Sequence, residues 1–421
     1  MAIEITKIKV DASDLEVGMY VSELDRPWLE SPFLFQGFLL QTNEDVQDVA
    51  KACEYVFVDV ANSSAAVRTR LQTMAAAQGK PTVVKETDLQ SQASFDDGYD
   101  FKEHLFLARK IYDHTRDYID KTLTAVGQGS REVDTEQAKS LVNEMIDNIL
   151  VKPHAMAWLT HLKNRDEYTL THSINVCILA LTFGRHMQLP REQLEILGLG
   201  ALLHDIGKLR VPPEILNKPD RLTREEFEIM KTHPVEGYDI LKEDLLMSPQ
   251  ILDIVLHHHE RISGQGYPEG MLGDNISRLT KMTSIVDVFD AITSDRCYHD
   301  GVSPYIALQN IYRWTDNAFD KQLVEGFMGC MGLYPVGSVV ELNQGQVAIV
   351  IATTPKTKLR PMLLMLTDKD KKFLKSRRIL NLSMQDWEKT TARLEIANVI
   401  DPKTLGISVR DILEQESMSA S

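Results

Sequence analysis

At 421 residues, 43% hydrophobic and 25% charged, the chain is long enough for two or three domains and has an ordinary globular composition. A net charge of −15 argues against duplex DNA as a partner, because neutralising phosphates needs a basic face, although a metal ion can supply positive charge locally to a small phosphorylated ligand. No apolar run reaches the roughly 18 to 20 residues that span a bilayer, and Met1–Tyr20 lacks the pattern of a secretory signal, so the expectation is a cytoplasmic protein with no membrane partner. The four cysteines (Cys53, Cys177, Cys297, Cys330) show no CxxC spacing, which argues against a disulfide framework or a thiolate zinc site.

Residues 1–60 predict a small α+β unit, with strands at Ile3–Val10, Gly18–Leu24, Phe33–Leu40 and Tyr55–Val60. A helix over Asn43–Cys53, with Asn43 as N-cap, lies between the last two. Residues 61–98 turn polar and small, break at Gly79-Lys80-Pro81, and read as a linker. Connecting helices fill 99–151. In the first, Leu105, Ala108, Ile111, Ile119, Leu123 and Val126 recur at roughly helical spacing; the second covers Asp134–Val151 and is stopped by Pro153. Helices dominate 152–335, broken at Gly207, Pro212-Pro213, Pro234 and the Gly264–Gly273 loop. Beyond them, Val336–Leu342 and Gln346–Ile351 flank an Asn-Gln-Gly turn and Met362–Thr367 adds a strand. Residues 336–405 therefore form a β extension, and 406–421 a disordered tail.

Eight of the twelve histidines fall between His172 and His299, beside carboxylates. His204-Asp205 ends the apolar stretch Leu194–Leu203, and a helix terminus lets adjacent side chains reach one cavity that mid-helix neighbours, about 100° apart, would not share. His258-His259-Glu260 ends a second apolar helix, Ile251–Leu256. His233 precedes Pro234, which would be the first residue of a new helix. His172 sits mid-helix among Ile174, Val176 and Ile178, and Asp287 among Ile285, Val286, Val288 and Phe289, an odd place for a carboxylate unless it is paired or bound to metal. Each feature alone has a bland reading: a satisfied core histidine, good helix-end chemistry, a surface histidine run. Together they require five coincidences. Imidazole with carboxylate suits iron, manganese, zinc or nickel. Two such ions about 3.5 to 4 Å apart can bridge a hydroxide and clamp a phosphoryl group, with a bridging aspartate as the natural link.

At these residues the sequence resembles the HD-GYP family of bacterial cyclic di-GMP phosphodiesterases, a branch of the HD-domain metal-dependent phosphohydrolases. The resemblance rests on His204-Asp205-Ile206-Gly207-Lys208, on His258-His259-Glu260-Arg261 followed by Gly266-Tyr267-Pro268, and on Ile285-Val286-Asp287-Val288-Phe289-Asp290-Ala291. It covers roughly Lys152 to Ala348. It implies a mainly α fold, an all-helical HD-type core with the small α+β domain before it and the β appendage after it.

By that resemblance His172, His204, Asp205, His233, His258, His259 and Asp287 hold two divalent transition-metal ions, iron or manganese first and nickel or zinc next, with Asp205 bridging. Lys208 would face the attacking hydroxide or a substrate phosphate. Tyr267, Arg296 and His299 are the further substrate contacts, His299 standing where an Arg or Lys is common in the family. Tyr168 occupies the place where three-metal members carry a glutamate, so two metals are expected. Ser263 replaces a common aspartate. The implied reaction is attack of hydroxide on phosphorus, opening cyclic di-GMP to linear pGpG and allowing a second cut to GMP. The alternatives are a cyclic di-GMP sensor that docks GGDEF-type diguanylate cyclases, or a phosphohydrolase of mononucleotides. The N-terminal 140 residues resemble a small domain found before HD-GYP domains and read as regulatory or oligomerising; the long helices of 100–151 suit a homodimer.

Overall fold

The computed structural model describes residues 7–25, 38–40, 42–60, 63–77, 98–127, 133–151, 153–160, 168–218, 220–294, 301–315, 317–332, 334–353, 360–382, 394–409, 411–412 and 415. These fall into an N-terminal unit and a unit from residue 97 onward.

The N-terminal unit is an antiparallel sheet with two helices. Strands β1 (Lys7–Asp11), β2 (Tyr20–Leu24), β3 (Phe38–Leu39) and β4 (Tyr55–Asp59) lie in the order β1-β4-β2-β3. Alternate residues Ile8 and Val10 of β1 and Val56 and Val58 of β4 are buried, as a half-solvated sheet requires. Helix α1 (Asn43–Ala52) is capped one residue earlier than expected: Thr42, not Asn43, is the N-cap, because Thr42 and Asp45 form a reciprocal capping box. Helix α2 (Ala65–Ala77) occupies part of the stretch expected to be a linker. It forms because Val67 and Leu71, four residues apart, both bury against the sheet core, an apolar pair diluted in the sequence by the Ala, Arg and Thr around it. Parts of the Ile3–Val10 and Phe33–Leu40 expectations lie outside the described residues.

The second unit opens with α3 (Gly98–Gly127), α4 (Thr135–Val151) and α5 (Pro153–Leu159). Pro153 is the first described residue of α5. The helical core follows: α6 (Tyr168–His186), α7 (Arg191–Leu203), α8 (Pro213–Leu216), α9 (Arg224–Met230), α10 (His233–Leu241), α11 (Pro249–His257), α12 (Arg278–Thr293), α13 (Pro304–Arg313) and α14 (Lys321–Met331). Ser248-Pro249 and Ser303-Pro304 start α11 and α13 in the same way, serine accepting from the third helical N–H and proline at the first position. The faces of α6, α7, α11 and α12 that meet are lined by Ile174, Ile178, Leu197, Leu202, Ile254, Val255, Ile285 and Val286, all buried. Each such side chain contributes about 1.5 to 3 kcal/mol, and this rigid packing fixes the helix ends that carry the polar cluster. Close approach is built in at Gly200, where a Cβ would stand 2.6 Å from Ile254 Cδ1 of α11.

The C-terminal part is a five-stranded antiparallel sheet of order β8-β7-β6-β5-β9, from β5 (Val339–Leu342), β6 (Val347–Ala352), β7 (Met362–Thr367), β8 (Phe373–Asn381) and β9 (Ile396–Ile400). The three inner strands are those expected from sequence. The two added strands are both edges, and β8 carries Lys375, Arg377 and Arg378, so neither presents the buried apolar run that marks a strand. The stretch expected to be a disordered tail begins instead with packed residues: Ile407 and Ile412 are buried and Arg377 donates to Gln415 Oε1. Residues 416–421 lie outside the described residues. Among the described residues no helix is long and apolar enough to cross a membrane.

Candidate metal centre

Five helix ends or helix faces converge. His172 comes from α6; His204 caps the C-terminus of α7, with Asp205 next to it. His233 is itself the first residue of α10, Pro234 the second. His258 caps α11 and His259 follows, while Asp287 projects from α12. All but His259 are buried.

The imidazoles are aimed by their own backbones. Nδ1 of His204 contacts the carbonyl of Ala201 at 2.7 Å, Nδ1 of His233 that of Met230 at 2.8 Å, and Nδ1 of His258 that of Val255 at 2.9 Å. A carbonyl only accepts, so each Nδ1 carries the proton and donates it. Each Nε2 is left with a lone pair facing inward. His172 is fixed differently: its Nδ1 donates to Asp290 Oδ2 at 2.7 Å, leaving Nε2 3.1 Å from Asp287 Oδ1.

Asp205 stands at the centre. Its Oδ1 lies 3.3 Å from His233 Nε2 and 3.8 Å from His258 Nε2. Its Oδ2 lies 3.3 Å from His204 Nε2, 3.6 Å from His172 Nε2 and 2.6 Å from Lys208 Nζ. One carboxylate thus faces two nitrogen sets, one from each oxygen. Two groups result, Asp205 with His233, His258 and His259, and His172 with His204 and Asp287; within each, the candidate ligand atoms lie within 4.8 Å of one another.

The donor count makes this a cation site. His233 Nε2 and His258 Nε2 approach to 3.3 Å with no proton to share, and neither His204 Nε2 nor Asp205 Oδ1 meets a donor at hydrogen-bonding geometry. Buried lone pairs facing one another repel unless positive charge sits between them. Protonation is opposed at the imidazoles of the Tyr267 side. Burial, then His204 and His233, push His258 well below the ordinary histidine range; burial, then His258, do the same to His259. Burial works against charge on Asp205, but His204 and Lys208 outweigh it and hold its carboxyl well below the usual carboxylate range. Burial opposes charge on Asp287 too, and is outweighed by His172, His259 and His204. Burial also opposes protonation of His172, where Asp287 and Asp290 prevail and raise it. Anionic oxygens and neutral nitrogens are the forms that bind a transition metal.

Lys208 reaches Asp205 from the 3-10 turn Ile206–Arg210. That turn approaches α10 so closely that a Cβ on Gly207 would stand 1.9 Å from the carbonyl oxygen of His233. Tyr267 stacks on His259, ring centroids 4.6 Å apart at 28°. Its loop is tied down by Glu260, a buried carboxylate that accepts from the backbone N–H groups of Glu269, Gly270 and Met271 at 2.7, 2.9 and 2.9 Å. Arg261, also drawn inward, donates to the carbonyls of His258 and Glu260 and to Ser284 Oγ. Gly266 packs on this segment where a Cβ would lie 2.4 Å from Glu260 Cα.

Of the residues singled out from sequence, His172, His204, Asp205, Lys208, His233, His258, His259, Asp287 and Tyr267 come together. Arg296 and His299 lie outside the described residues, as does the side chain of Tyr168. Two participants go beyond the sequence expectations: Asp290, partner of His172, and Glu260, holder of the loop. Asp290 lies three residues from Asp287, on the same face of an apolar helix, which is the signal that a second carboxylate points inward. His257 turns away from the cluster to Asp253, its Nδ1 at 2.7 Å from Oδ1.

Residues 151–323 match the HD domain family, 7–138 a domain of unknown function (DUF3391), and 339–407 a KOW domain associated with the HD domain. The chain is 35% identical over 365 residues to a cyclic di-GMP phosphodiesterase of Pseudomonas aeruginosa, covering 84% of this chain and 83% of that protein. It is 36% identical over 146 residues to the cyclic di-GMP phosphodiesterase response regulator RpfG of Xanthomonas campestris, of which it spans only 39%. An HDG"Y"P protein from Bdellovibrio bacteriovorus aligns in structure at a TM-score of 0.46 and 16% identity, over 76% of this chain and 98% of that one.

Proposed function

Since the chain belongs to the HD-GYP family, the cyclic di-GMP phosphodiesterase branch of the HD-domain phosphohydrolases, we propose that it hydrolyses cyclic di-GMP to linear pGpG at a centre of two divalent transition metals. The observation that carries this reading is the carboxylate of Asp205, whose two oxygens face two separate sets of imidazole lone pairs. One ion would be held by Asp205, His233, His258 and His259 and the other by His172, His204 and Asp287 together with Asp205. Bound there, the metals supply Lewis acidity toward a phosphoryl oxygen and an acidified water at neutral pH.

The chain's own residues do the rest. Asp290 and the three backbone carbonyls keep His172, His204, His233 and His258 in the tautomer and orientation that present a lone pair. Lys208, only partly exposed and already beside Asp205, places a cation where the charge of the pentacoordinate phosphorus develops. Tyr267 covers one face of His259 and offers a flat surface beside the cluster. The Glu260 contacts hold that surface at fixed height, so that a bound nucleotide is oriented and not merely captured.

Anaerobic purification, elemental analysis and product identification with cyclic di-GMP test the proposal. About two iron or manganese ions per chain and release of pGpG are expected. A metal-free protein that binds the dinucleotide without cleaving it would make the chain a sensor instead. Preferential hydrolysis of mononucleotides would move it outside this reading.

A further inference from the structure

Helix α9 (Arg224–Met230) buries none of its residues, yet it carries two large apolar side chains in the open: Phe227, 46% exposed, and Ile229, 41% exposed. It owes its place to polar ties. Thr223 and Glu226 form a reciprocal capping box at its start, and Lys218 binds both carboxylate oxygens of Glu226 at 2.8 and 2.6 Å. One exposed phenylalanine on a surface calls for no explanation. This one continues a row of rings that begins at the metal centre: His233 and His259 lie against Tyr267, and Tyr267 meets Phe227 edge to face, centroids 6.5 Å apart at 82°. Lys231, which caps the C-terminus of α9, holds its ammonium 5.6 Å from the centre of Phe227 and 6.0 Å from that of Tyr267. Its partner Glu228 is an exposed i,i+3 contact, worth little and easily exchanged.

We propose that Phe227 and Lys231 form the base-binding wall of this site and set its preference for guanine. The inference rests on the phosphodiesterase reading given above. With a phosphate at the metals and Lys208, the attached base lies one sugar away, and the corner between Tyr267 and Phe227 offers it a flat apolar surface beside the cluster. An aromatic ring there gains stacking with either purine. Lys231 discriminates between them: its donors match the N7 and O6 acceptors of guanine, whereas adenine offers N7 beside an N6 amino donor. The wall therefore combines a surface that takes purines in general with one cation that selects guanine.

The test compares wild type with Phe227→Ala, Phe227→Trp and Lys231→Met on cyclic di-GMP, cyclic di-AMP and bis(p-nitrophenyl) phosphate, a diester without a nucleobase, each protein first checked for metal content. For Phe227→Ala, KM for cyclic di-GMP should rise by about five- to fiftyfold, the scale of one lost base stack, with Phe227→Trp recovering most of it. The ratio of kcat/KM on cyclic di-GMP to that on the base-free diester should fall by a similar factor. For Lys231→Met, the guanine-to-adenine ratio should fall by about tenfold, the scale of a lost base-edge hydrogen bond. A parallel loss on all three substrates, or unaltered ratios, overturns the wall while leaving the phosphodiesterase standing. A wild-type, metal-loaded protein that cleaves bis(p-nitrophenyl) phosphate but neither binds nor cleaves cyclic di-GMP overturns the proposed function and the wall with it.

Discussion

The clustered imidazoles and the aromatic wall beside them stand only a few side chains apart, but they rest on different foundations. His204 and His258 sit on the C-terminal ends of α7 and α11, helices whose opposite faces are locked into the apolar core, and each ring is pinned to a carbonyl three residues back. Phe227 sits on, and Lys231 caps, a seven-residue helix with nothing buried, tied by a capping box and the Lys218–Glu226 and Lys231–Glu228 ion pairs. Groups that must meet a metal within tenths of an ångström are placed by rigid packing. Groups that meet a large, variable ligand are placed by contacts that can yield. The contrast says where substitutions should abolish chemistry and where they should only retune it.

The largest effect belongs to the residue on which both nitrogen sets depend. Asp205→Ala removes the carboxylate shared between them, so metal content measured by elemental analysis should fall toward zero. Turnover should drop by at least about a thousandfold, since metal-supplied charge stabilisation amounts to several kcal/mol and each 1.36 kcal/mol is a factor of ten. Full metal occupancy in this variant would break the assignment of Asp205. Next is Gly207→Ala, which replaces no candidate ligand. The new methyl would overlap the His233 carbonyl and lie 2.4 Å from the amide nitrogen of Gly237. The turn bearing Asp205 must then move away from α10. Destabilisation of about 3 kcal/mol, the upper range for overpacking, should appear as a lower Tm together with partial loss of metal. An unchanged Tm would show that the close approach is not required.

The same contrast explains which parts of the molecule are legible in the sequence. His204-Asp205 and His258-His259 are legible because adjacent polar residues after an apolar helix can share a cavity only at a helix end, and that pattern is local. The role of Asp290 is not, because its partner His172 lies 118 residues away, and a carboxylate on an apolar helix announces that it is paired without naming the partner. Glu260 is hidden for a related reason: its three partners are backbone N–H groups, which leave no mark in a sequence. In the fold, the central strands β5, β6 and β7 stand out by their apolar runs, whereas the edges β8 and β9, solvated and partly basic, resemble loops. Thr42 and Asn43 are both good caps side by side, and only the reach of Asp45 back to Thr42 decides between them.

Asp290→Asn sharpens the contrast one step out from the metals. An amide in place of the carboxylate can donate to His172 Nδ1, which favours the tautomer with its proton on Nε2 and takes away the lone pair aimed at the site. Metal affinity, measured by competition with a chelator, should weaken by about 10- to 100-fold, the usual consequence of losing such a partner. The occupied enzyme should turn over at a rate much nearer to wild type than that of Asp205→Ala. Equal affinity in variant and wild type would mean that packing alone orients His172.

The smallest effect is expected where the rigid cluster hands over to the softer wall, at Glu260. Its Oε1 accepts from Glu269 and Gly270 and its Oε2 from Met271, so glutamine can serve at most one of these two sides. The other side would set an amide N–H₂ against a backbone N–H, and the remaining bonds would lose their charge, at about 1.5 to 3 kcal/mol per charged hydrogen bond. Because the damage falls on residues 269–271 and not on the imidazoles, the loop should loosen while the metals stay. Glu260→Gln is therefore expected to keep its metal content and to raise KM for cyclic di-GMP by about tenfold, with a smaller change in kcat, since Tyr267 orients the nucleotide without touching the phosphorus. Loss of metal in this variant would show that Glu260 supports His258 and His259 as much as the loop. The boundary between the two foundations would then lie farther out than the geometry places it.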